Sequence, residues 1–131
     1  LQAFIGINQL KKLNNFCKIR NRNFNCYQKN IKNDYWKIKP LENSFVSNFG
    51  YPVISPHRKK IIKELVKNKV EIRPIISGSM GNQPFYIKKK RKENLANASI
   101  VDKLGIYLPN HHNLDINQIN FICNIINNII S

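Results

Sequence analysis

The stretch Glu71–Tyr86, EIRPIISGSMGNQPFY, read with Gly105–His112, GIYLPNHH, decides the fold. The first piece changes character three times. An extended apolar run (Ile72, Pro74, Ile75, Ile76) breaks into a small polar loop, Ser77-Gly78-Ser79-Met80-Gly81-Asn82. The loop closes on Gln83-Pro84 and two aromatics, Phe85 and Tyr86. A strand that ends in a glycine-containing polar loop brings backbone close to a ligand. The second piece is a short strand, Gly105–Leu108, that stops at Pro109.

Outward from these strands the chain alternates with helices. Val70–Ser77 is preceded by a helix over about His57–Lys69, with Ile61, Ile62, Leu65 and Val66 on one face. Ser55 is its expected N-cap and Pro56 its first helical residue. Asn48–Ile54 reads as a strand whose Pro52 suits an edge position. Asn33–Ser47 is a linker with one apolar knot, at Tyr35, Trp36 and Ile38, ended by Pro40. From Leu1 to about Ile31 apolar residues recur every three or four positions (Phe4, Ile7, Leu10, Leu13, Cys17, Phe24, Tyr27, Ile31), which predicts one long helix. Its first turns are apolar on more than one side, as in a helix end buried between two bodies. A missing domain or a second subunit would cover it. Beyond the loop, Ile87–Glu93 is a charge run expected in solvent. Asn94–Lys103 is a short helix, and Asp115 caps a last helix to Ser131. The order helix, strand, helix, strand, short helix, strand, helix makes an α/β layer, a small sheet covered by helices.

The chain has 131 residues and a net charge of +15, from 22 Lys and Arg against 7 Asp and Glu. Such a balance admits nucleic acid, an anionic surface or phosphate ligands as partners. Lys, Asn and Ile are all abundant, so a compositional bias towards these residues is the stronger account of the charge. A small basic nucleic-acid-binding module is the competing reading. It would need aromatics interleaved with Lys or Arg on one sheet face. Trp36, Tyr35, Phe45, Phe49 and Tyr51 are expected in the core instead. Cys17, Cys26 and Cys123 are too few and scattered for a disulfide framework or a zinc site. They read as small buried hydrophobes in a reducing compartment. No apolar run is long enough for a membrane span. The chain starts at Leu1 inside a helix pattern, so an N-terminal part is expected to be missing.

Four residue groups carry candidate chemistry. Arg73, before Pro74, sits at the end of an apolar strand and suits bidentate contact with a carboxylate or phosphate. A surface ion pair with Glu71 or Glu64 is the alternative. Ser77, Ser79, Met80 and Gln83 belong to the polar loop, whose backbone N–H groups and hydroxyls suit a sugar or diphosphate. An ordinary turn is its alternative. No Gly-Lys-Ser/Thr follows, so it is not a P-loop. Asn110, His111 and His112 follow the last strand. Neighbouring residues point to opposite faces, so at most one histidine faces a site. A metal site is not expected, because two adjacent histidines lack further ligands.

These residues also carry a resemblance. LQAFIGINQLKKLNNFCKIRNRNFNCY is similar to the helix that follows the active-site lysine region in the DegT/DnrJ/StrS family of nucleotide-sugar aminotransferases. NFGYPV resembles the first strand of that family's C-terminal domain. EIRPIISGSMGNQPFY and LANASIVDKLGIYLPNHHNLD resemble two later family segments, in the same order. RPIISG and NHH look closest to the 4-keto-6-deoxy-sugar 3-dehydratase branch, in which histidine replaces the Schiff-base lysine. The Cys-x-Cys pair of the iron–sulfur members is absent.

The resemblance implies the C-terminal small α/β domain of a fold-type I pyridoxal-phosphate enzyme, over residues 33–131, with residues 1–32 as a long interdomain helix. It implies a homodimer acting on a nucleotide sugar, with an amino donor such as glutamate, in cytoplasmic deoxy- or amino-sugar biosynthesis for lipopolysaccharide O-antigen. Transamination and C3 dehydration both remain open. The catalytic Lys or His lies upstream, so no catalytic residue is expected here. Arg73, Ser77, Ser79, Met80, Gln83, Asn110 and His111 would wall the sugar-nucleotide pocket, with His111 preferred to His112. Neither nucleic acid nor membrane is an expected partner.

Overall fold

The computed structural model describes residues 2–33, 35–76, 78–88 and 95–131. Helix α1 spans Gln2–Asn30. Strand β1 (Gly50–Ile54), helix α2 (Arg58–Lys67) and the two-residue strand β2 (Arg73–Pro74) follow. After a 3₁₀ turn at Met80–Asn82 come α3 (Pro84–Lys88), α4 (Ala96–Leu104), β3 (Gly105–Pro109) and α5 (Ile116–Ile130). The sheet is antiparallel in the order β1-β3-β2. This is the small helix-covered sheet behind a long helix that the residue pattern implies.

The core forms where three helices cover one face of that sheet. Tyr51 and Val53 of β1 and Ile106 and Leu108 of β3 are buried, alternating with half-buried Pro52 and Tyr107. They meet Phe24 and Tyr27 of α1, Ile61 and Leu65 of α2, and Ile119, Ile122 and Ile126 of α5. Pro52 lacks a backbone donor, and its strand is indeed at the sheet edge. Helix α5 starts on a full capping box. The Asp115 carboxylate accepts the Gln118 N–H at 2.8 Å, and Gln118 Oε1 accepts the Asp115 N–H at 3.0 Å.

Tyr27 and Tyr51 stack inside this core with ring centroids 4.9 Å apart. The Tyr27 hydroxyl donates to the Pro109 carbonyl at 2.9 Å, and the Tyr51 hydroxyl donates to Gln28 Oε1. Burial pushes the Tyr51 phenol up to about 12, the Cys123 thiol up to about 12, and the Tyr27 phenol higher still.

Several expectations need correction. Helix α2 begins at Arg58 rather than His57, and Pro56 lies in the preceding turn rather than in its first helical position. The Ser55 hydroxyl accepts the His57 N–H at 3.2 Å, so it organises that turn. The strand expected over Val70–Ser77 is reduced to Arg73–Pro74, since Pro74 offers no N–H to extend the ladder. The segment after Gln83, read as a loop exit, forms α3. Of the aromatics expected in the core only Tyr51 is there; Phe49 and Phe45 are 56% and 61% exposed, and Tyr35 and Trp36 are exposed as well. Cys17 and Cys26 are half-buried, and Cys123 alone is buried. The charge run lies mostly outside the described residues, as does Ser77.

Only the C-terminal half of α1 joins the core. Phe4 and Leu10 are 70% and 67% exposed, and Ala3, Gly6, Ile7, Leu10 and Leu13 line a shallow apolar groove along the helix.

The buried phenols and thiol give a pH signature. Their folded values lie above the ordinary 9.0 of a thiol and 10.0 of a phenol, so the unfolded chain loses these protons first as pH rises. The stability they support is complete below about pH 9 and is lost as pH climbs through the raised folded values. Urea melts at about pH 8 and about pH 11 should show this loss, and Cys123→Val should remove the part that begins at the thiol value.

Candidate functional site

Strand β3 buries Ile106 and Leu108, so its period of two puts Tyr107 on the opposite face. Tyr107 pairs across the sheet with Arg73, which therefore shares that face. Gly50 makes room for the tyrosine. A Cβ at that position would lie 3.2 Å from Tyr107 Cβ and 3.3 Å from its ring. The ring also meets Phe49, with centroids 5.1 Å apart and planes tilted by 58°. Beside these residues the segment from Asn68 to Arg73 forms one wall, and the N-terminal half of α5 forms another. Between them lies an open cleft of about 740 Å³.

Arg73, Asn110 and His111 all line this cleft. The Arg73 guanidinium reaches Glu71 Oε1 through Nη2 at 2.9 Å and Nε at 3.1 Å. Both side chains are about three-quarters exposed, at 76% and 75%, so water screens the pair and it is readily exchanged. Glu64 instead pairs with Lys67 at 3.7 Å.

His111 is exposed at the turn after β3. Its Nδ1 accepts the Asn113 N–H at 3.3 Å, which in the neutral ring places the proton on Nε2. Its carbonyl is held by Asn23 Nδ2 at 3.2 Å. His112 turns the other way and stacks on Phe16 of α1, with centroids 3.8 Å apart. The two histidines thus point apart, and only His111 reaches the cleft.

Asn110 is 1% exposed and acts as a clasp. Its Nδ2 lies 2.9 Å from the Asn48 carbonyl, 3.0 Å from Asn48 Oδ1 and 3.3 Å from the Arg20 carbonyl. One amide therefore ties the end of β3 to α1 and to the segment entering β1. Its Oδ1 has no hydrogen-bond partner among the described residues.

The polar loop lies elsewhere. Ser79, Met80 and Gln83 are not among the residues that line the cleft. Ser79 is buried, its Oγ has no partner among the described residues, and its carbonyl accepts the Asn82 N–H at 3.0 Å. Met80 is 44% exposed, and its carbonyl accepts the Gln83 N–H at 3.1 Å. Gly78 has a φ of +52° and lies so close to the Asp102 carboxylate that a Cβ would collide with it. The loop is thus a turn packed on α4. Ser77 is outside the described residues.

The cleft contains residues that motif reading overlooks: Phe49, Lys69, Tyr107, Asn117 and Phe121. Two carry a signal. Tyr107 is the off-phase residue of a strand, and Phe121 is out of step with the buried Ile119, Ile122 and Ile126 of α5. Among the described residues, no cluster of three or more His, Cys, Asp or Glu forms, and no helix is long and apolar enough to cross a membrane.

The sequence profile of the DegT/DnrJ/EryC1/StrS aminotransferase family matches residues 1–127, and the chain belongs to that family. It is 29% identical over 119 residues to GDP-4-keto-6-deoxy-D-mannose 3-dehydratase of Escherichia coli O55:H7, a match covering 85% of this chain and 31% of that protein. A crystal structure of GDP-4-keto-6-deoxymannose-3-dehydratase with a trapped pyridoxal phosphate–glutamate geminal diamine superimposes with a TM-score of 0.73 at 26% identity, covering 93% of this chain and 34% of that one. Helicobacter pylori PseC, an aminotransferase of pseudaminic acid biosynthesis, shares the fold with a TM-score of 0.79 at 22% identity, covering 95% of this chain and 35% of that one. The chain therefore spans about a third of the length of these relatives.

The clasp makes Asn110 a test of how the cleft is built. Asn110→Ala strands the Asn48 and Arg20 carbonyls, a loss of about 1–3 kcal/mol. The urea midpoint should fall accordingly, while Asn113→Ala, at an exposed turn position, should leave it within about 0.5 kcal/mol.

Proposed function

We propose that this chain is the substrate-side, C-terminal domain of a pyridoxal-phosphate-dependent nucleotide-sugar enzyme. Its reaction would be transamination or C3 dehydration of a 4-keto-6-deoxy sugar, with glutamate as amino donor, in the cytoplasmic supply of deoxy- or amino-sugars for lipopolysaccharide. The observation that carries this reading is the convergence of Arg73, Asn110 and His111 on one open cleft in a chain of this family.

Each residue has a part set by its geometry. Arg73 would meet the diphosphate, exchanging Glu71 for a doubly charged partner. His111 would offer its Nε2 to the sugar or diphosphate. Asn110, held through its Nδ2, would keep that wall in place rather than bind by itself.

The residues present do not form a cofactor pocket alone. In the cleft, Lys69 is exposed and the one acid, Glu71, is held by Arg73. The electron-sink chemistry that pyridoxal phosphate supplies belongs to a separate lobe. The apolar groove on the N-terminal half of α1 would face that lobe or the second subunit of a homodimer. Incubated with pyridoxal phosphate and dialysed, the 131-residue chain should retain no stoichiometric cofactor absorbance; one equivalent retained would overturn this division.

The exchange at Arg73 is directly measurable with inorganic pyrophosphate. Arg73→Ala should weaken binding about tenfold or more, since hydrogen bonds to charged groups contribute about 1.5–3 kcal/mol. Glu71→Gln frees the guanidinium and should strengthen binding. If neither change moves the dissociation constant, the diphosphate does not bind at Arg73.

A further inference from the structure

Asn23 is a costly residue where it stands. It lies inside helix α1, 0% exposed, next to the core residue Phe24 and one turn before Tyr27. Asparagine is a poor helix former, and a buried amide is unfavourable unless it is hydrogen-bonded. Arg22 fixes which way this amide points. Its Nε and Nη2 donate to Asn23 Oδ1 at 3.2 and 2.9 Å, so the amide oxygen faces the guanidinium. Asn23 Nδ2 is thereby turned to the His111 carbonyl, 3.2 Å away. The same Arg22 Nη2 reaches the Leu114 carbonyl at 3.0 Å. Two neighbouring residues of α1 therefore grip both ends of the turn that carries His111.

Other contacts already close this turn. The Leu114 N–H donates to the His111 carbonyl at 3.2 Å, and the Leu114 side chain is buried. Asn110, the residue before His111, is tied to α1 and to the approach to β1. What the Asn23 contact adds is local to His111. The imidazole is exposed, and its Nδ1 contact with the Asn113 N–H is long at 3.3 Å, so its direction depends on the backbone that carries it.

Resting on the function proposed above, we infer that Asn23, oriented by Arg22, is a positioning residue for His111. Neither α1 residue lines the cleft, so both act on a bound diphosphate through the histidine they place. A ring released to three staggered rotamers would spend about a third of its time in the productive one, which sets the loss at about threefold.

The test uses the 131-residue chain. Three-bond Hα–Hβ couplings of His111 should have the values of a single staggered rotamer in the parent and averaged values in Asn23→Leu. Those of His112, stacked on Phe16, should be the same in both. With inorganic pyrophosphate as probe, Asn23→Leu should weaken binding about threefold and His111→Ala about tenfold. The double variant should bind no more weakly than His111→Ala, since the two changes remove one interaction. Asn23→Asp keeps the size and the Arg22 contact but has no hydrogen to donate, so it should behave as the leucine variant does. It decides the matter if Asn23→Leu lowers the urea midpoint. Unaveraged couplings in both variants, or a further loss of about threefold in the His111→Ala background, would overturn the positioning role. If His111→Ala leaves pyrophosphate binding unchanged, the part given to His111 in the function proposed above fails, and averaged couplings in both variants still establish that Asn23 places its ring.

Discussion

The central strand must bury Ile106 and Leu108, and the rest of the site follows from that requirement. A strand has two faces and no others, so burying those residues against α1 and α5 puts Tyr107 on the far side. Cross-strand pairing then fixes Arg73 beside Tyr107, and Gly50 leaves the space the tyrosine ring occupies. The cleft is a by-product of core packing. Its α2-side wall includes one left-handed residue, Lys69 at φ +59°, and β2 is only two residues long at that edge.

The ends of this arrangement are held by polar contacts rather than apolar ones. The Tyr27 hydroxyl reaches the Pro109 carbonyl from inside the core, and Asn110 ties the next residue to α1 and to the approach to β1. Buried polar groups are costly unless paired, so these contacts specify one register where apolar packing alone would permit slippage. His111 inherits its direction from them. Its carbonyl is fixed by Asn23, itself fully buried in α1, and the next residue is drawn away by the Phe16 stack.

Much of the architecture was legible because it rests on periodicity. The three- and four-residue spacing of Phe24, Tyr27 and Ile31, the alternation of Gly105–Leu108, and the cap at Asp115 each report local physics that tertiary packing did not override. The polar loop was read less well. A glycine-containing loop after a strand has two uses, approach to a ligand and approach to neighbouring protein, and the spacing of its residues does not distinguish them. Here Gly78 is needed for φ +52° and for the Asp102 carboxylate above it. The aromatics failed for a similar reason. Phe49 and Tyr51 are two residues apart in one segment, yet one lies before the strand and outside the core while the other lies within it. Hydrophobicity gave them equal standing; only the point where pairing begins separated them.

The charge distribution in the cleft is balanced locally. The Arg73 guanidinium at the edge of the cleft is largely exposed, and Glu71, two residues away, meets it through Nη2 and Nε. The pair is exposed enough that its net contribution to stability is small, and exchanging the carboxylate for a phosphate costs correspondingly little. A tighter, buried partner would have locked the guanidinium in place and made ligand entry expensive. Glu71 lies two residues before Arg73, just outside β2, so the pair is local. Glu71 can swing back into water without disturbing β3, whose core face carries the fold. The division across the paired strands, apolar residues of β3 inward for stability and the charge of Arg73 on β2 beside the outward Tyr107, is what the period of two permits.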